Sequence, residues 1–186
     1  MKPRCVLLDA SIVIEAFQLG VWEILVQQYQ IAVPSIVSND EALFYKKEIG
    51  RIPDEINLPK LIQSGKIQQL SADASDLAAL DEVFDRVFIE NIHSGEREAL
   101  SLLYSGKAGD AVFCTSDSAP IRAMAILNLS EKAISFEKVL IQIGQTKKLL
   151  KQFTEEWFQK QLVLGKQNFI TGEGLKAEYR KRIISR

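Results

Sequence analysis

The chain has 186 residues, 47% apolar and 25% charged, with ten glycines, five prolines and a net charge of −1. That length and balance suit one globular domain with a sizeable core and exclude collagen-like, low-complexity and disordered chains. No apolar run approaches the ~18–20 residues of a membrane span, and a near-neutral chain has no bulk attraction for nucleic acid.

The opening Met1-Lys2-Pro3-Arg4-Cys5-Val6-Leu7-Leu8-Asp9 puts charge where a signal peptide would be apolar. It reads instead as a first strand over 4–8, and a cytoplasmic protein is expected. Ile12, Val13, Ala16 and Phe17 then recur at helical spacing, with Ser11 as a candidate N-cap and Gly20 as the stop. Ile31–Val33 reads as a second strand closed by Pro34. Ser35 opens a helix carrying Ile36, Val37, Leu43 and Phe44, with Asp40 and Glu41 in its middle. Residues 50–60, with Pro53 and Pro59, read as a loop or lid.

Lys66–Leu70 forms a weak strand, and Asp73 or Ser75 caps a helix running to Asp85. His93-Ser94-Gly95 leads into a helix from Glu96 to Tyr104. Ala111–Thr115 is the plainest strand, almost wholly apolar as a central parallel strand should be. Ser116-Asp117-Ser118 caps the next helix, with Pro120 in its first turn. Ala133–Ser135 is a last short strand, and from Phe136 the pattern is helical, broken near Gly165 and again at Thr171–Gly174.

Strands alternating with helices from residue 4 to about 143 predict an α/β fold, a three-layer α/β/α sandwich with a mainly parallel central sheet. Residues 1–143 read as the domain and 144–186 as a helical extension. The extension holds ten Lys/Arg against four Glu, a balance of +6, while residues 1–143 carry −7. A basic tail on an acidic body can approach a phosphate backbone, although a solvated helical face explains it equally well.

In parallel sheets ligands bind beyond the carboxyl ends of the strands, where Asp9 and Asp117 both stand. Either acid taken singly could be an N-cap. Asp40 and Glu41 lie beside apolar positions of their helix, as does Glu98, whereas Glu96 at a helix start is favourable for structural reasons alone. Carboxylates gathered at one edge repel one another unless a cation neutralises them. Mg²⁺ or Mn²⁺ suits an all-oxygen site, and such a site performs the chemistry of metal-dependent nucleases.

Four segments carry a family resemblance. Val6-Leu7-Leu8-Asp9-Ala10-Ser11-Ile12-Val13-Ile14 resembles the opening motif of PIN-domain proteins. Val33-Pro34-Ser35-Ile36-Val37 with Asp40-Glu41-Ala42-Leu43 is similar to the family's second element. Ser94-Gly95-Glu96-Arg97-Glu98-Ala99-Leu100 resembles the Gly-Glu-x-Glu-Ala helix of one branch, and Thr115-Ser116-Asp117 with Arg122-Ala123 the Thr-x-Asp strand end. Ile134–Leu140 resembles the last strand and helix, so the likeness spans roughly residues 3–143.

The resemblance implies a PIN-like sandwich that cleaves single-stranded RNA. Asp9, Glu41, Glu98 and Asp117 would hold Mg²⁺ or Mn²⁺, and Ser11 and Thr115 would position water or phosphate. Asp40 is an alternative to Glu41, and Glu96 to Glu98. Many members are toxins of toxin–antitoxin pairs, blocked by a protein inhibitor in the acidic groove, and they commonly form homodimers. The 50–60 segment and the extension exceed what compact toxins need. A catalytically silent PIN-like module binding RNA or protein is the alternative. A phosphatase of the haloacid dehalogenase type is disfavoured, because Ser11 stands where its second Asp belongs.

Cys5 and Cys114 read as small hydrophobes in adjacent strands. His93 reads as a surface or capping residue. Trp157, Phe158 and Phe169 read as buried anchors of the extension.

Overall fold

The computed structural model describes residues 4–46 and 52–184. Met1–Pro3 of the opening segment, Gly50 and Arg51 of the expected loop, and Arg186 of the basic tail lie outside the described residues.

The elements run β1 (Cys5–Leu8), α1 (Ala10–Gln18), α2 (Trp22–Gln28), β2 (Gln30–Pro34), a π-helical turn (Val37–Glu41), β3 (Phe44–Tyr45), β4 (Asp54–Glu55), α3 (Leu58–Gln63), β5 (Gln68–Leu70), α4 (Ala74–Asp81) and α5 (Arg86–Glu90). They continue with α6 (Ser94–Tyr104), β6 (Val112–Cys114), α7 (Ser118–Ile126), β7 (Ala133–Ile134), α8 (Phe136–Gln142), α9 (Glu155–Thr171) and α10 (Ala177–Ile184). Five strands form a parallel sheet in the order β5-β2-β1-β6-β7. The chain winds outward from β1 through β2 to β5, then returns to the other side of β1 for β6 and β7. Strand order therefore reverses between β1 and β6, and the loops leaving these two strands part to open a crevice.

The two-residue period of each strand sorts its side chains between two cores. Val6 and Leu8 join Ile31, Val33, Val112 and Cys114 against α1, α2, α3 and α8. Leu7, Ala32 and Phe113 face the opposite side, against α4, α6 and α7. With both faces covered, the fold is the expected α/β/α arrangement. Cys5 and Cys114 are free and lie in neighbouring strands.

Several elements differ from expectation. The cap of α1 is Asp9, whose carboxylate accepts the Ile12 N–H at 2.9 Å, and not Ser11. Residues 22–28 form α2, held down by buried Trp22 and Leu25, with Trp22 stacked 4.6 Å from Phe17. The helix begun at Ser35 does not reach Phe44. It widens into a π turn, closed by Ala42 N–H donating to the Val37 carbonyl five residues back, and Phe44–Tyr45 then pair antiparallel with Asp54–Glu55. The described part of the expected 50–60 loop holds that second strand and, capped by Asn57, the start of α3. The helix expected to reach Asp85 ends at Asp81, because Asp85 caps a new helix by accepting the Phe88 N–H at 2.8 Å.

Residues 144–150 are not helical, and α9 runs through Gly165 unbroken. Gly165 is there for packing: a Cβ would stand 2.6 Å from the Arg122 carbonyl oxygen, so only glycine lets α9 cross α7 this closely. Phe158 and Leu162 bury against Ile121 and Ala125 of α7, with Trp157 beside them. Phe169 is 39% exposed and no anchor, because the buried stripe of α9 passes through Gly165 and Asn168 instead. The expected break at 171–174 is present. Beyond it the chain is stitched back by Asp85 N–H to Gly174 O (2.9 Å) and Lys176 N–H to Val83 O (3.0 Å). Among the described residues no single helix is long and apolar enough to cross a membrane.

Candidate acidic site at the sheet edge

Asp9 leaves the end of β1 and is 2% exposed. One carboxylate oxygen accepts the Ile12 N–H and the Ser11 hydroxyl, each at 2.9 Å; the other accepts the Thr115 hydroxyl at 2.6 Å. The capping interpretation of Asp9 is thus correct for one oxygen, while the second is turned across the crevice to the end of β6.

Thr115 joins the two strand ends. Its oxygen accepts the Asp117 N–H (3.2 Å) and lies 3.2 Å from Glu96 Oε1. A hydroxyl has one proton, and the shorter contact gives it to Asp9. Glu96 then gains most from this neighbour when it carries a proton of its own. Its Oε2 accepts the His93 N–H at 3.1 Å, the capping-box bond of α6.

Asp117 occupies the cap position of α7 but makes no side-chain cap bond, so its carboxylate is left for the crevice. His93 Nδ1 stands 3.4 Å from Asp117 Oδ2 and 3.7 Å from Glu96 Oε2, on a ring that is largely solvent-exposed. Ser116 is buried and lies 2.7 Å from Ser11, completing a hydroxyl chain that ends on Asp9.

The fourth acid is Glu41, at the end of the π turn. Its Oε1 accepts the Gly95 N–H at 3.0 Å. A Cβ at Gly95 would stand 2.3 Å from Glu41 Oε2, so glycine in the first turn of α6 is what admits this side chain. Asp9, Ser11, Glu41, His93, Glu96 and Asp117 line one pocket of about 430 Å³.

Two expected residues are not brought there. Asp40 faces solvent. Glu98 is buried elsewhere, accepting Ser35 Oγ–H (2.7 Å), Ile36 N–H (2.9 Å) and Ala72 N–H (3.1 Å), and so ties α6 to the segments leaving β2 and β5. Glu96, the alternative at the sequence level, stands where Glu98 was expected. Reading the sequence alone missed Ser116, and it read His93 only as a cap or surface group. His93 is both of those, and it also borders the acids because the cap and third residue of a helix share its first turn.

The electrostatics follow from this crowding. Burial pushes the Asp9 carboxyl up to about 6, opposed by its bonds from Thr115, Ile12 and Ser11 and assisted by the charge of Asp117. Burial, with repulsion from Asp9 and Asp117, pushes Glu96 up to about 9. Folding thus keeps a proton on Glu96 at neutral pH, while Asp9 holds its proton only up to about pH 6.

Some of these side chains could hold a metal ion. The set is rich in carboxylate oxygen, and one ligand atom each from His93, Glu96 and Asp117 lie within 4.8 Å of one another. Comparison of the chain with protein-family models, with curated proteins and with solved structures gave no match.

Proposed function

We propose that this protein is a PIN-like, metal-dependent endoribonuclease that cleaves single-stranded RNA, with Asp9, Glu41, Glu96 and Asp117 holding Mg²⁺ or Mn²⁺. The observation that carries this reading is convergence. Four acids from four separated segments line one pocket at the point where strand order reverses, and two of them are forced toward protonation without an external positive charge. The motif order along the chain, and the PIN resemblance it supports, supply RNA as the substrate.

When bound, the cation contributes charge neutralisation at the phosphate and a water of lowered pKa. The chain's own residues do the rest. Asp9 is fixed by three hydrogen bonds, so its orientation needs no reorganisation. Thr115 and Ser11 hold it there rather than touching substrate through their protons. Glu96, which burial and its acidic neighbours keep protonated, would have to give up that proton to serve as a ligand. The exposed His93 imidazole, 3.4 Å from Asp117, is placed to take or give a proton at the pocket mouth. A protein inhibitor of this site would present a Lys or Arg side chain to the carboxylates. Two unbonded cysteines accord with the cytoplasmic location that the reading implies.

Highly purified protein incubated with a mixed pool of single-stranded RNAs is expected to cleave with Mn²⁺ and not with EDTA. Cleavage indifferent to EDTA would overturn the metal assignment. An intact pool at millimolar Mn²⁺ would leave the silent PIN-like binding module.

The raised acids also set a pH dependence. Between pH ~4 and the folded-state values of about 6 and about 9, the folded protein binds more protons than the unfolded chain. The stability is therefore fully present below the ordinary carboxylate range and is lost as pH rises through those values. In EDTA the melting temperature is expected to fall from pH 5 to pH 8.5, by about 2–4 °C per kcal/mol lost, and Mn²⁺ is expected to restore it at the upper end. Calorimetry at matched ionic strength reads both; a melting temperature that rises over this range without metal contradicts the assignment.

A further inference from the structure

Beside the acidic pocket lies a second groove of about 670 Å³, lined by Phe88, Asn91, Asp117, Arg122, Gln152 and Trp157. Asp117 belongs to both. Resting on the nuclease reading above, we propose that this groove is a nucleotide subsite, built jointly by the domain and the C-terminal extension, that holds the RNA residue next to the scissile phosphate.

Arg122 carries the argument first. It is a half-buried cation on α7 whose one hydrogen bond goes from Nε–H to Gln161 Oε1 at 2.9 Å. Among the described residues no carboxylate pairs with it. Gln161 is itself 5% exposed and sits on α9, so a buried amide of the extension aims the guanidinium and leaves its two terminal amino groups for a ligand. An oriented, unpaired guanidinium is a phosphate-binding group.

The walls supply the rest. Trp157 is half-buried on the first turn of α9, and Phe88 on α5 is backed by Phe84 with ring centroids 4.7 Å apart and planes 13° from parallel. An aromatic ring backed in this way is a stacking platform for unpaired bases, which every base satisfies through its flat face, and Trp157 supplies a second ring on the same groove. Asn91 and Gln152 offer amide donors and acceptors for base edges. An acidic peptide would match Arg122 but would leave the aromatic walls unexplained, and a duplex hides the base faces. The volume falls in the range of ordinary ligand pockets, about 300–1,000 Å³. It also gives the extension a task in the groove, because Trp157 and Gln161 both belong to α9.

The test separates this proposal from the nuclease reading by excluding divalent metal. A fluorescein-labelled five-nucleotide RNA is titrated with protein in EDTA and followed by anisotropy, with tryptophan emission of the parent protein read in parallel. Trp22 is buried in the core, so quenching reports Trp157. Expected results are quenching in the parent, an affinity about 5- to 150-fold weaker for Trp157→Ala, and near-parental affinity for Trp157→Phe. Arg122→Gln is expected to bind about tenfold more weakly with a shallower salt dependence. Circular dichroism checks that each variant is folded, and parental quenching needs no variant at all. Absence of quenching, parental affinity in folded Trp157→Ala and Arg122→Gln, or equal quenching by a pentaglutamate peptide would each overturn the subsite. Quenching without any Mn²⁺-dependent cleavage would uphold the groove and sink the nuclease reading; cleavage without quenching would do the reverse.

Discussion

Asp117→Asn and Asp9→Asn are each expected to lower Mn²⁺-dependent RNA cleavage by about 100-fold or more while leaving the fold intact. Loss of groups that merely orient metal ligands costs about 10–100-fold, and these two acids are assigned as ligands themselves. An amide is uncharged and a poorer donor to a hard cation. Asp117 makes no cap bond to its own helix, so its replacement removes no backbone interaction. Asn at position 9 still accepts the Ile12 and Ser11 protons through its oxygen, but its amino group cannot accept from Thr115, which must turn toward Glu96. Both variants remove a charge that repels Glu96, so their metal-free stability at pH 8 should equal or exceed the parent's. Single-turnover cleavage and thermal melting read the two effects apart. Parental cleavage by either variant would show that the acids are caps and surface charges.

The second large contrast is between two glutamates one position apart from being neighbours. Glu98→Ala is expected to destabilise the fold and spare the chemistry, whereas Glu96→Gln spares the fold and abolishes cleavage. Removing the Glu98 carboxylate strands the Ile36 and Ala72 N–H groups without their acceptor, at roughly 1–3 kcal/mol each. That corresponds to a fall in melting temperature of roughly 5–20 °C. Glu96→Gln keeps an oxygen for the His93 N–H and ends the buried repulsion, so the melting temperature at pH 8 should hold or rise. Melting curves and cleavage at 20 °C, well below either transition, decide it. If Glu98→Ala abolished cleavage at an unchanged melting temperature, the two roles would be reversed.

What was legible in the sequence has a common physical origin. Apolar runs ending in an acid marked β1 with Asp9 and β6 with Thr115–Asp117, because a doubly covered parallel strand leaves no polar positions except at its end. The resemblance implies Glu41, with Asp40 as its alternative, and the π turn separates the two: it carries Glu41 toward Gly95 and leaves Asp40 in solvent. What was not legible depends on contacts distant in sequence. Glu98 sits beside an apolar stripe, as burial requires, but its partners at Ser35, Ile36 and Ala72 are separated from it by 63, 62 and 26 positions. Spacing within a helix cannot reveal them. Glu96 at a helix start read as structural, and it is structural with one oxygen and faces the crevice with the other. Gly165 looked like a helix break because glycine usually is one, whereas here it is the point where α9 meets the backbone of α7.

The most direct test of the central claim is a calorimetric titration of Mn²⁺ into the parent protein and Asp117→Asn at pH 7.5, with RNA cleavage followed in the same samples. The account predicts saturable binding with proton release and cleavage in the parent, and loss of both in the variant. No heat of binding in the parent at millimolar Mn²⁺, or equal binding by the two proteins, would contradict it.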